Sequence, residues 1–116
     1  MDFSPSPRVE ELRGRIEAFL DEHLYPVELE ALQALDDEVR DGVPYPRVLV
    51  ELRERAKAEG LWNLFMPGDE HGAGLTNWEY GMLCEAMGRS LVAPFVFNCS
   101  APDTGNTEII AEHGTD

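Results

Sequence analysis

From Val9 onward the apolar residues fall three and four positions apart: Val9, Leu12, Ile16, Phe19 and Leu20. That spacing draws a single stripe along one helix. Ser6 stands where a side-chain oxygen can cap the first turn, and Pro7 stands where a missing N–H costs nothing. Pro26 ends or kinks this helix, because its ring meets the carbonyl one turn back. Leu29, Leu32 and Leu35 then predict a second helix, strongly acidic, and "DGVPYP" breaks the pattern. Val48, Leu49, Leu52 and Ala56 mark a third helix, stopped by Gly60, which accepts the left-handed conformation a helix end favours. Thr76 and Glu79 spell a capping box, opening a helix that ends at Gly88. A last helix runs from about Ala101 towards His113 and closes at Gly114. Strand-like alternation of apolar and polar residues is missing from the chain. The pattern predicts an all-α fold, a bundle of about five helices, with residues 60–75 as a Gly/Pro-rich connector.

Composition narrows the partners. The 116 residues are enough for one domain with a modest core, and they carry a formal net charge of −14. Nucleic acid is an unsuitable partner, since binding it requires neutralising phosphates with Lys and Arg. Anionic membrane surfaces are repelled too. No apolar run approaches the ~20 residues that a membrane span needs. The opening "MDFSPSPRVEELRGR" is polar, unlike a signal peptide. Cys84 and Cys99 allow one disulfide at most, which suits a cytoplasmic setting with two small, buried, reduced thiols.

The connector "FMPGDEHGAGLTNWEY" holds the most suggestive chemistry. Gly68, Gly72 and Gly74 are spaced somewhat like a nucleotide loop, but such loops want positive charge, and Asp69 and Glu70 would repel a phosphate. His71 neighbours two carboxylates, yet His23 and His113 are scattered and the cysteines lack metal-ligand spacing, so no metal site is expected. "NCSAPDTGN" contains Cys99 and Asp103 without a local base to activate a thiol. The glycines therefore read as a rigid joint, and no residue reads as catalytic or cofactor-binding.

The run "AKAEGLWNLFMPGDEHGAGLTNWEYGMLCEAMGRS" resembles the N-terminal region of the flavin-dependent acyl-CoA dehydrogenases. Gly60, Leu61, Trp62, Pro67, Gly72, Gly74, Glu79, Glu85, Gly88 and Arg89 carry the likeness. "VFNCSAPDTGNTEIIAEHGTD" is similar to members acting on longer or modified acyl chains. The resemblance covers nearly the whole chain, from about Val9 to Asp116. The final "AEHGTD" also reads as the approach to a further helix capped by Thr115 or Asp116, as in a fragment of a longer protein.

The resemblance implies an N-terminal helical domain over residues 1–116, followed in the family by a middle β-domain and a C-terminal helical domain. It implies an oxidoreductase in which a carboxylate base takes the α-proton of an acyl-CoA thioester while hydride passes to FAD. It also implies a homo-oligomer, tetramer or dimer. The base and most flavin contacts belong to the other domains, so this chain alone is expected to bind no FAD and to be inactive. Its implied role is a wall of the acyl cavity, formed by Phe97, Asn98, Ala101, Pro102 and Gly105. Small residues there leave room for an acyl chain, or else mark a close helix contact. A non-catalytic helical interaction module derived from the family is the alternative. Where the other domains would cover it, the chain is expected to expose Trp62, Phe65, Met66, Phe95 and Phe97.

Overall fold

The computed structural model describes residues 3–41 and 45–115, with the backbone alone over 38–41. Among these residues the chain forms helices and turns without a strand. The long helices are α1 (Pro7–Phe19), α2 (Glu28–Asp41), α3 (Arg47–Ala58), α4 (Asn77–Met87) and α6 (Asp103–His113). A one-turn helix, α5 (Ala93–Val96), lies between the last two. Five long helices and an irregular connector match the sequence expectation. The break expected at "DGVPYP" falls partly on residues 42–44, outside the described residues.

Helix starts follow local chemistry. The Ser6 hydroxyl accepts the Val9 N–H at 3.3 Å, with Pro7 in the first turn. Thr76 and Glu79 form the complete capping box: Thr76 Oγ1 accepts the Glu79 N–H at 3.2 Å, and Glu79 Oε2 accepts the Thr76 N–H at 3.0 Å. The same carboxylate reaches further, since its Oε1 accepts the Ser6 hydroxyl at 3.0 Å. One glutamate thus ties the N-termini of α1 and α4 together, and these two helices make the broadest contact in the fold.

Pro26 does not simply end α1. The chain stays helical through a wide turn, Leu20–Leu24, where the Tyr25 N–H donates to the Leu20 carbonyl five residues back. A tight turn, Tyr25–Val27, then leads into α2. The proline ring would strike the carbonyl of Glu22, and that carbonyl lies within the widened turn. α2 buries Ala31 completely and leaves Leu29 69% exposed. The expected leucine stripe is therefore rotated: a small residue faces the bundle, with Leu32 and Leu35 half-buried beside it.

α3 ends as its glycine foretells. Gly60 takes φ +69°, its N–H meets the Lys57 carbonyl, and the Leu61 N–H reaches back to Ala56 at 2.9 Å. This doubly bonded helix end pulls Leu61 fully into the core. In the connector, Gly72 lies so close to the Met66 backbone carbonyl that any Cβ would collide with it.

The core joins Val9, Leu12, Ile16 and Phe19 of α1 to Leu83, Ala86 and Met87 of α4, with Leu49, Leu52 and Ala56 of α3 alongside. The molecule measures 49 × 37 × 24 Å, the shortest dimension being about two helix layers. Its radius of gyration, 14.9 Å, exceeds the roughly 13.4 Å of a compact chain of this length. None of the residues of α6 is buried.

The exposed apolar residues differ from those expected. Met66 and Phe97 are core residues, 3% and 1% exposed, and Trp62, Phe65 and Phe95 are half-buried. The exposed ones are instead Phe3, Tyr25, Leu29, Tyr45, Val50, Trp78, Leu91, Ile109 and Ile110. The connector folds back on the bundle and so covers its own hydrophobic residues.

Glu79 supplies a pH test. Its backbone and side-chain hydrogen bonds from Thr76, followed by the bond from Ser6, hold its carboxyl below the ordinary value of 4.5. A lowered folded pKa contributes stability above the unfolded pKa and loses it as pH falls through the folded value. Denaturant titration of wild type and Glu79→Gln should show a stability gap at pH 7 that closes below about pH 4.5. A gap unchanged by pH would contradict this role.

Candidate functional site

The residues expected to form a cavity wall lie where α5 gives way to α6. Ser90 starts this corner: its hydroxyl accepts the N–H groups of Val92 and Ala93, each at 3.2 Å, and donates to Glu28. α5 ends as α3 does, but with asparagine in the glycine position. Asn98 takes φ +55°, its N–H meets the Phe95 carbonyl, and the Cys99 N–H reaches Pro94 at 2.8 Å. Asparagine is among the few residues that enter this region readily.

A second left-handed asparagine faces it. Asn63 has φ +59°, and its side-chain carbonyl accepts the Asn98 amide at 2.6 Å. The Asn63 N–H donates to the Phe97 carbonyl at 3.3 Å. This clamp locks the connector onto the entrance to α6. Asn98 was expected here as a wall residue; Asn63 was not.

The five expected wall residues have different fates. The Phe97 ring lies in the core, edge-on to Phe19 with centroids 5.3 Å apart. Asn98 is 6% exposed and engaged in the clamp. Ala101, Pro102 and Gly105 are exposed together at the start of α6. A Cβ on Gly105 would have nothing within 4 Å, so this glycine marks open space rather than a close helix contact within the chain.

Three clefts border α6. The first, of ≈420 Å³, is lined by Asn63, Asn98, Asp103 and Asn106 together with Tyr45, Arg53 and Trp62. In it the Arg53 guanidinium lies 4.5 Å from the Trp62 ring centre and 5.0 Å from that of Phe95. The second, of ≈300 Å³, brings Met66 and His71 beside Thr107, Ile110 and Ala111. The third, of ≈350 Å³, holds Phe65, Tyr80, Cys84 and Cys99 beside Thr104 and Glu108. Contrary to the expectation of two buried thiols, Cys84 is exposed and Cys99 half-buried.

The glycine-rich loop does not fit a flavin pyrophosphate. Its Gly74 N–H is taken by the Gly68 carbonyl at 2.8 Å, and Asp69 and Glu70 are both exposed there. Among the described residues, no group of three or more His, Cys, Asp or Glu is placed to hold a metal ion. No helix is long and apolar enough to cross a membrane.

The helical domain with its open final helix has close counterparts. The sequence model of the acyl-CoA dehydrogenase N-terminal domain matches residues 6–116. Acyl-CoA dehydrogenase family member 10 of Mus musculus is 48% identical over 116 residues, covering 96% of this chain and 11% of that protein. Probable acyl-CoA dehydrogenase FadE2 of Mycobacterium tuberculosis is 40% identical, covering 100% of this chain and 28% of that protein. A solved Mycobacterium abscessus structure assigned as an acyl-CoA dehydrogenase superimposes with a TM-score of 0.80 at 42% identity. It covers 97% of this chain, and this chain covers 30% of it. The chain belongs to the acyl-CoA dehydrogenase family and has the fold of its N-terminal domain. It spans under a third of the length of these relatives.

The asparagine clamp is testable by substitution. Asn98→Ala loses a part-buried hydrogen bond and strains a left-handed backbone, and should destabilise the fold by about 1–3 kcal/mol in urea titration. Asn98→Gly should lose less, because glycine adopts that conformation freely. Equal losses in the two variants would show that the backbone conformation is not what asparagine secures.

Proposed function

We propose that this chain acts as the N-terminal helical part of an FAD-dependent acyl-CoA dehydrogenase and lends it one wall of the acyl cavity. Family membership over residues 6–116 supports the first half. The second half rests on one observation: Ala101, Pro102 and Gly105 stand together, exposed, where the chain enters a helix that buries none of its own residues. An eleven-residue helix is marginal on its own in water, so α6 is suited to being covered. In such an enzyme the flavin accepts hydride, and FAD, the catalytic base and the oligomer contacts come from outside this chain. Here α6 excludes water and limits how far an acyl chain extends. The chain alone is inactive on this reading, because it offers no positioned base or flavin cradle. Its acidic surface and reduced thiols suit the cytoplasm.

Gly105 tests the wall. With open space around its Cβ, Gly105→Phe adds bulk without invading the core. In the full-length enzyme carrying this domain, kcat/KM for long acyl-CoA substrates should fall by about tenfold or more, with short ones spared. An unchanged chain-length profile would remove α6 from the cavity.

A further inference from the structure

In a chain with 23 Asp and Glu against 9 Lys and Arg, a basic side chain readily finds a carboxylate, as Arg47 does at 2.7 Å and Lys57 at 2.8 Å. Arg53, between them on α3, forms no ion pair with the described residues, and its Nε is shielded from solvent without a hydrogen-bond partner. Rings hold its guanidinium instead, with the centre of Trp62 4.5 Å away and that of Phe95 5.0 Å away. Tyr45 backs Phe95 in turn, their ring centres 4.5 Å apart. These aromatic contacts position the guanidinium while leaving its hydrogen-bonding capacity unspent.

This cation lines the ≈420 Å³ cleft beside α6, a space of the size that small organic ligands occupy. Asn63 and Asn98 line it too, and their 2.6 Å bond uses one donor and one acceptor, leaving further amide N–H groups. Trp62 and Ile110 give the cleft apolar surface. Asp103 is the opposing charge: it lines the cleft but does not pair with Arg53. Ala101, Pro102 and Gly105 are not among the lining residues, so the cleft stands apart from the proposed wall.

We infer that the cleft is a binding site for an organic monocarboxylate with a short apolar body. The carboxylate accepts N–H groups from the Arg53 fork, a geometry that guanidinium and carboxylate share, and the body lies against Trp62 and Ile110. Asp103 opposes a second negative charge. That favours a carboxylate over a phosphate monoester, whose charge at neutral pH is about −1.5 to −2. A neutral ligand of the same shape leaves Arg53 unpaired and binds less well.

The test is nuclear magnetic resonance titration of the purified 116-residue chain with three probes that share one body: hexanoate, hexyl phosphate and hexanol. The shielded Arg53 Nε–H and the Trp62 indole N–H are the reporters. Both signals should move saturably with hexanoate, half-saturating at about millimolar concentration. Hexyl phosphate should bind more weakly, and hexanol about tenfold more weakly or worse. Arg53→Gln should weaken hexanoate binding by about tenfold. Equal affinity for hexanol and hexanoate would overturn the proposal, as would tighter binding of hexyl phosphate. So would hexanoate shifts confined to residues outside the cleft, no saturable shift up to about 50 mM, or full hexanoate affinity in a folded Arg53→Gln chain. The wild-type readings decide the matter even where that variant fails to fold.

Discussion

The hydrogen bond from the Asn98 amide to the Asn63 carbonyl joins the two irregular stretches of a chain otherwise built from helices. Each asparagine sits in a left-handed conformation that most side chains resist, and each spends part of its side chain satisfying the other. Asn63 follows the doubly bonded end of α3, and Asn98 completes the doubly bonded end of α5. Joined, they give the last helix a defined point of departure. Without that point α6 has little to hold it, for it contributes no buried residue to the core.

The rest of the fold serves as a platform for this corner. Glu79 holds the starts of α1 and α4 together, and their apolar stripes close over each other. α3 brings Leu49, Leu52 and Ala56 against this pair and, through Gly60, feeds Leu61 into the same core. Hydrophobic burial is thus concentrated under α1, α3, α4 and α5, while α6 stands beside three clefts with Ile109 and Ile110 61% and 69% exposed. A layer only about two helices thick, with one unpartnered edge helix, has the shape of a wall more than of a container. That shape is what the proposed cavity role requires.

The helices were legible because their signals are local. Apolar spacing gave α1, α3 and α4, and caps at Ser6, Thr76 and Gly60 gave boundaries that the structure reproduces. Local signals could not say which face of α2 turns inward. Ala31 fills that place, and Leu29 points out. Nor could they show that Met66 and Phe97 are internal, since burial at both is set by tertiary packing, for Phe97 against Phe19 of α1. Of the residues expected to form a wall, Ala101, Pro102 and Gly105 are exposed together, while Phe97 belongs to the core. The Asn63–Asn98 pair, 35 residues apart, left a faint trace in that asparagine is well suited to a left-handed helix end.

The claim that α6 walls an acyl cavity is tested most directly by photolabelling. An acyl-CoA bearing a carbene precursor at the far end of a long acyl chain would be irradiated in the full-length enzyme that carries this domain, and the labelled peptides identified by mass spectrometry. The account predicts label between Ala101 and Gly105, lost when excess unlabelled long-chain acyl-CoA competes. Competable label found only outside residues 1–116 would contradict it.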